Sequence, residues 1–186
     1  MKPSEIIKAQ LMDAQDVHRT ITRLARQVIE SMDSSHEIAI VGLHRRGVYL
    51  GKRLQTLIYE LEGINVPFGT LDVTMYRDDF RRRSGARKIR STNIPFNVSS
   101  GHLILVDDVL YTGRTVRAAM DAVTDLGRPA RLQFLTLIDR EHRELPIRAD
   151  MVGRVVPTIS REEVRVQLSE IDDRDGVWLI ERGEDE

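Results

Sequence analysis

The sequence predicts an α/β fold: one domain, residues 1–186, with a mostly parallel central sheet flanked by helices and a flexible loop at about 77–94. Three observations carry this. Apolar runs at Ile38–Leu43, Leu103–Val106 and Leu132–Ile138 have the length of buried strands. Helical spacings fall before and between them. The resulting order, strand–helix–strand–strand–helix–strand, is that of parallel strands joined by crossover helices.

Taken in order, Val17, Ile21, Leu24, Ala25, Val28 and Ile29 follow i, i+4, i+7, i+8 and give a first helix with one apolar face. The strand Ile38–Leu43 stops at the polar turn His44-Arg45-Arg46-Gly47. Val48, Gly51, Leu54, Leu57, Ile58 and Leu61 then line a helix packed on a sheet. Leu71, Val73 and Met75 alternate with Asp72, Thr74 and Tyr76, the two-residue period of a strand. Residues 77–94 have no apolar period and many charges, hence the flexible loop. After Leu103–Val106 comes a helix with Val116, Ala119, Met120 and Val123 inward, stopped by Gly127 and Pro129. Short strands are expected at 151–156, 164–168 and 177–180. No repeat or linker marks a second domain.

Composition narrows the function classes. With 41% hydrophobic and 31% charged residues the chain fits a globular domain large enough to bury a core. No run has the length of a membrane span and the N-terminus lacks a secretory pattern, so a cytoplasmic protein without a membrane partner is expected. With no cysteine, disulfides and thiolate chemistry are excluded. The five histidines show no clustered ligand spacing, which argues against structural zinc. A net charge of −1 would argue against nucleic acid, but charge is segregated: Arg81, Arg82, Arg83, Arg87, Lys88 and Arg90 crowd one stretch, whereas Glu184, Asp185 and Glu186 make the tail acidic.

The most informative segment runs from Leu103 to Thr115. A buried strand ends in Asp107-Asp108, and Thr112-Gly113-Arg114-Thr115 opens a helix. Ligands of open α/β sheets bind beyond the carboxyl ends of strands. A small-residue turn entering a helix offers backbone N–H groups to phosphate. Adjacent acids are commonly a solvated loop; beside a phosphate cradle they suit the vicinal hydroxyls of a sugar phosphate.

This segment resembles the phosphoribosyl-diphosphate (PRPP) motif of the type I phosphoribosyltransferases. Asp107 to Ala119, with Tyr111 before Thr112, resembles the PyrR family in particular, the bifunctional pyrimidine-operon regulators and uracil phosphoribosyltransferases. The likeness recurs at Asp72-Val73-Thr74-Met75-Tyr76-Arg77-Asp78-Asp79 and from Asp139 to Asp150, so it covers nearly the whole chain.

The resemblance implies a type I phosphoribosyltransferase-like fold and a set of roles. PRPP would lie along Asp107, Asp108, Val109, Leu110, Tyr111, Thr112, Gly113, Arg114 and Thr115, the two acids on the ribose hydroxyls and Tyr111 to Thr115 on the 5-phosphate. Gly113 would let the backbone approach the phosphate. Pyrophosphate would enter the loop His44, Arg45, Arg46, Gly47, where a strained peptide bond is implied and arginine forks suit the anion. Arg45 departs from the usual Thr-Arg-Gly. From the flexible loop, Arg77, Asp78, Asp79 and Arg90 would close over the site, excluding water and offsetting the charge of the leaving group. Mg2+ would be held through the oxygens of PRPP rather than in a dedicated protein cage.

Arg140, Met151, Val152 and Val164 are the candidates for the base pocket, Met151 standing where the family has an aromatic and Glu141 where it has glycine. The plainer reading makes Met151 and Val152 simple core residues. No side-chain base for the pyrimidine nitrogen is evident.

The helix face carrying Arg19, Thr22, Arg23 and Arg26, joined by Arg143, Arg148 and Arg154, matches the family's RNA surface. An ordinary solvated face, or a dimer interface with acidic partners, would look similar. The implied partners are PRPP, uracil, UMP or UTP, a pyr mRNA leader stem-loop, and further copies of the chain in a homodimer or higher oligomer. The implied function is uracil phosphoribosyltransfer combined with attenuation of pyrimidine genes in response to uridine nucleotides. A transferase without an RNA role, or a regulator with weak catalysis, are the alternatives. A purine substrate is disfavoured by the pyrimidine-type tract from Asp139 to Asp150.

Overall fold

A computed structural model of the chain describes residues 5–32, 37–77, 91–99 and 101–182. Asp78, Asp79 and Arg90, and with them most of the anticipated loop at 77–94, lie outside the described residues, as does the acidic tail. The elements run β1 (Glu5–Met12), α1 (Ala14–Glu30), β2 (Ile38–Leu43), α2 (Arg46–Glu62), β3 (Phe68–Leu71), β4 (His102–Leu110), α3 (Arg114–Leu126), β5 (Arg131–Asp139), β6 (Met151–Val155), β7 (Glu162–Gln167), α4 (Ser169–Asp172) and β8 (Gly176–Arg182).

Five strands form the central sheet in the order β3-β2-β4-β5-β6, and every neighbouring pair is parallel. Both faces are covered, which is why its strands are continuous apolar runs. On one face α1 and α2 pack Val17, Ile21, Leu24, Leu54 and Ile58 against Ile40, Ile104 and Leu135. On the other, α3 packs Val116, Ala119 and Val123 against Val41, Leu105 and Phe134. The α1 face is fixed at its start by a capping box: Asp13 accepts from the Asp16 amide at 2.7 Å, and Asp16 accepts from the Asp13 amide at 3.3 Å.

A second, antiparallel sheet, β1-β8-β7, sits over the α1 side and shares its core through Val164, Val166 and Val177. The chain's first strand, β1, was not anticipated. It is an edge strand with seven of its eight residues at least partly exposed, so it carries no clean alternation to detect.

Three boundaries differ from expectation. The alternation Leu71–Tyr76 is not a strand: β3 ends at Leu71, and Thr74–Tyr76 form a 3-10 turn. The Asp72 carboxylate causes this, accepting from the Thr74 amide at 2.8 Å and its hydroxyl at 2.5 Å, so a local side-chain bond replaces the ladder. Strand β4 continues past both acids to Leu110 instead of ending at them. Finally, the last residues of the anticipated loop are anchored: Asn93 exchanges both backbone hydrogen bonds with Thr70 of β3.

Candidate active site

The carboxyl ends of β2, β3, β4 and β5 meet along one edge of the central sheet, and the sequence motifs converge there. Asp107 and Asp108 lie near the carboxyl end of strand β4, Asp107 buried and Asp108 half-buried. Burial and the neighbouring Asp108 carboxylate push the Asp107 carboxyl well above the ordinary carboxylate range. Burial also raises Asp108, although Asp107's hydrogen bond and the charge of Arg46 oppose it. A ligand-free pair of this kind holds charge poorly. It is built to receive hydroxyl donors or positive charge.

Beyond β4 the chain turns through Tyr111 to Gly113 into α3. Gly113 takes φ 90°, a left-handed conformation that glycine adopts without strain. The Arg114 amide leans on the Thr112 hydroxyl at 3.4 Å, and Arg77 donates to the Thr115 hydroxyl at 2.8 Å. Arg77, assigned from sequence to the loop hinge, is thereby brought onto the turn. The field of Arg77 also reaches Asp107 and partly offsets its upward shift.

The segment His44–Gly47 approaches from the other side. Its His44–Arg45 peptide is cis, and its Gly47 has no room for a side chain: a Cβ there would lie 2.2 Å from the Val106 carbonyl oxygen and 3.1 Å from Asp107 Cα. The start of α2 is thus pressed against β4 at the acids. Arg45 is exposed. Arg46, expected to face an anion, instead forks onto Asp172 of α4.

The remaining predicted residues divide. Val164 is buried in the core and so is a packing residue. Met151 is likewise buried, in the core cluster beneath α1, where the plainer sequence reading placed it. Val152 is half-buried, and its carbonyl accepts from Arg23 at 3.2 Å. Arg140 is buried at the end of β5. Its guanidinium donates to Thr158 at 2.9 Å and to the Glu162 carbonyl at 2.5 Å, and lies 3.8 Å above the Tyr111 ring centre. It reaches the site through Tyr111. Glu141, in the family's glycine position, has φ 54°, which explains the usual glycine conformationally.

The basic set also divides. Arg19, Arg23 and Arg26 are exposed along α1, with Thr22 half-buried between them and returning its hydroxyl to the His18 carbonyl. Arg154, exposed on β6, bonds the Leu11 carbonyl, and it follows Val152 and Gly153, whose carbonyls accept from Arg23 of the α1 row. Arg148 is exposed but lines a cleft of about 250 Å3 with Val116 and Met120 of α3, against the opposite sheet face. Arg143 is half-buried and differs from the others in its bonding. All three of its guanidinium nitrogens are bonded within the site loop.

Sequence reasoning missed Asp172 and the true setting of Arg143. Asp172 is 126 residues from Arg46, so nothing local announced it. Asp139 and Arg143 are four residues apart, a separation that could have suggested their pairing.

Among the described residues no group of three or more potential metal ligands is present, and no helix is long and apolar enough to cross a membrane.

A family model, the phosphoribosyl transferase domain, matches residues 8–169. A relative described as "Bifunctional protein PyrR" from Pelotomaculum thermopropionicum is 52% identical over 177 residues, covering 95% of this chain and 98% of that one. The protein of the same description from Thermus thermophilus is 49% identical over 175 residues, covering 94% and 97%. Among solved structures, a hypoxanthine phosphoribosyltransferase from Trypanosoma cruzi superposes with a TM-score of 0.72 at 15% identity, covering 93% of this chain and 95% of that one. Another from Staphylococcus aureus gives 0.68 at 16% identity, covering 96% and 93%. These two likenesses concern the fold.

Proposed function

The chain belongs to the phosphoribosyltransferase family and to the PyrR group within it, and on that premise we propose that it makes UMP and pyrophosphate from uracil and PRPP and regulates pyrimidine genes by binding their leader RNA. The observation that carries the catalytic half is the convergence of three anion- or hydroxyl-binding elements on one sheet edge. These are the acids Asp107 and Asp108, the Tyr111–Thr115 turn, and the His44–Gly47 segment pressed against them through Gly47.

In this reading the turn binds the 5-phosphate through its backbone N–H groups and the hydroxyls of Thr112 and Thr115. Asp107 and Asp108 accept hydrogen bonds from the ribose hydroxyls, which orients carbon-1. The pyrophosphate lies along residues 44–47. The bond from carbon-1 to the pyrophosphate oxygen breaks and the bond to uracil N1 forms, so pyrophosphate leaves with the electron pair and the N1 proton passes to solvent. Arg77, already on Thr115, adds positive charge beside the 5-phosphate.

Magnesium suits this donor set. The acid pair makes no closed cage among the described residues, so the cation would be held through oxygens of PRPP, with Asp107 and Asp108 beside it, where its charge relieves the repulsion between them. When bound, it supplies charge neutralisation of the diphosphate.

The regulatory half rests on the exposed row Arg19, Arg23, Arg26 and Arg154, a contiguous cationic ribbon of the kind that neutralises RNA phosphates with counterion release. Two assays test the reading. Uracil with PRPP and magnesium should give UMP and pyrophosphate in equal amounts. A pyr leader hairpin should bind more tightly in the presence of UMP. No product from uracil would remove the first half, and nucleotide-independent or absent hairpin binding the second.

A further inference from the structure

Arg143, assigned from sequence to an RNA-contacting surface, has its guanidinium bonded inside the site. Nη2 meets both carboxylate oxygens of Asp139 at 2.6 Å, Nη1 donates to the Tyr111 carbonyl at 2.9 Å, and Nε donates to the Ile147 carbonyl at 2.8 Å. One planar group thus ties the end of β5, the first residue of the turn after β4, and the close of the loop 140–147. Lysine, with a compact ammonium on a single tether, cannot span three such acceptors.

The next carbonyl along the turn is fixed by the same loop. Thr112's oxygen accepts from the amides of Glu144 and Leu145, both at 3.1 Å, and Arg114 pairs with the Glu144 carboxylate at 2.6 Å. Peptide planarity turns these bonds into an aiming device. In a trans peptide the C=O and N–H point in opposite directions. Drawing the Tyr111 carbonyl toward Arg143 therefore turns the Thr112 N–H the other way. Drawing the Thr112 carbonyl toward Glu144 and Leu145 does the same for the Gly113 N–H. Those are the first two donors of the turn that opens α3.

We propose that Arg143 is a positioning residue for the sugar-phosphate donor: by holding the Tyr111 carbonyl it aims the Thr112 amide at the 5-phosphate. The inference rests on the reading of Tyr111–Thr115 as the phosphate cradle, and goes beyond it in giving the cradle a specific brace outside the motif. It also predicts an asymmetry. Arg143 touches the 5-phosphate turn but not residues 44–47, so its loss affects one end of the donor and spares the other.

The test uses the full chain and its Arg143→Gln and Arg143→Lys variants, with calorimetric binding of ribose 5-phosphate and, separately, of magnesium pyrophosphate, alongside steady-state kinetics. Arg143→Gln should weaken ribose 5-phosphate at least tenfold and raise KM for PRPP similarly. Pyrophosphate affinity, KM for uracil and kcat at saturating PRPP should stay within about threefold. Arg143→Lys, which keeps the charge and one bond, should fall between, and it carries the test if the glutamine variant does not fold. A merely structural role would lower the active fraction without splitting the two ligands. Unchanged ribose 5-phosphate affinity, or an equal loss for pyrophosphate, overturns the proposal. Wild-type protein that binds no ribose 5-phosphate overturns the reading of the cradle itself, and wild-type protein that binds it but makes no UMP leaves the brace standing while sinking the proposed reaction.

Discussion

Arg46, the second arginine of the 44–47 segment and the first residue of α2, is clasped by Asp172 of the antiparallel-sheet subassembly through contacts of 2.8, 2.9 and 3.1 Å. The pair bridges the two sheets, because Asp172 also accepts from the Leu168 amide at 3.1 Å and so stabilises the short helix α4. It holds the guanidinium within electrostatic range of Asp108.

This clasp makes stability sensitive to acid. Burial pulls the Asp172 carboxyl upward, but the Leu168 amide and the Arg46 guanidinium outweigh it and hold it below the ordinary carboxylate value. A depressed folded-state value contributes stability that is present above the unfolded value and is lost as pH falls through the folded one. Asp172→Asn should therefore cost about 1–3 kcal/mol at neutral pH. Its denaturant midpoint should also fall less steeply than the wild type's below about pH 4. Parallel acid limbs for the two proteins would refute the assignment.

Asp107 and Asp108 run the other way. Their folded values are raised, so ionising them at neutral pH costs stability, and the cost disappears as the medium is acidified toward those values. Asp107→Asn should raise the melting temperature of the ligand-free protein by roughly 2–6 °C, taking about 1–2 kcal/mol of relieved repulsion. The same change should reduce turnover by at least about a hundredfold. Calorimetry and a product assay on one preparation test both halves; a destabilised Asp107→Asn protein would contradict the burial argument.

Gly47→Ala should be more damaging than its size suggests. The added methyl meets backbone, the Val106 carbonyl oxygen, at 2.2 Å, so α2 and β4 must separate beside Asp107. Overpacking of this kind costs about 1–3 kcal/mol. The expected signature is a lowered melting temperature with a raised KM for PRPP. Wild-type kinetics in this variant would mean that the contact yields freely.

At Glu141 the substitution to glycine should be neutral or stabilising by up to about 1 kcal/mol, since φ 54° is costly for a side-chain-bearing residue and glycine's greater unfolded freedom offsets only part of the gain. Glu141→Val, β-branched, should be less stable than either. Thermal melts of the three proteins give the order; valine ranking above glycine would overturn it.

Arg23 and Arg26, changed together to glutamine, should weaken hairpin binding and flatten its dependence on salt by about two phosphate contacts, leaving uracil phosphoribosyltransfer intact. Arg23 donates to the Val152 and Gly153 carbonyls, so its single variant should also loosen the packing of α1 on β6. Unchanged affinity and salt slope would remove the ribbon from the account.

The parts of the molecule legible in the sequence share one property: their signals are local. The parallel sheet was visible because strands covered on both faces are unbroken apolar runs, and the site because Asp107 to Thr115 is contiguous in the chain. Thr74–Tyr76 misled because the Asp72 side chain, not the apolar period, decides the backbone there. Arg46 and Arg143 misled because arginine in a polar segment looks the same whether it awaits an anion, faces solvent or binds three internal acceptors. What separates those fates is Asp172, 126 residues away, and a loop that folds back on the Tyr111 turn. Strand β1 carried no pattern because both its faces are largely exposed.

The most direct measurement is a crystal structure with PRPP and magnesium bound. The account predicts the 5-phosphate on the amides of Thr112 to Thr115, the ribose hydroxyls on Asp107 and Asp108, and the diphosphate along His44 to Gly47. A donor sugar bound at another edge of the sheet, or ribose hydroxyls out of reach of the Asp107 and Asp108 carboxyl groups, would contradict it.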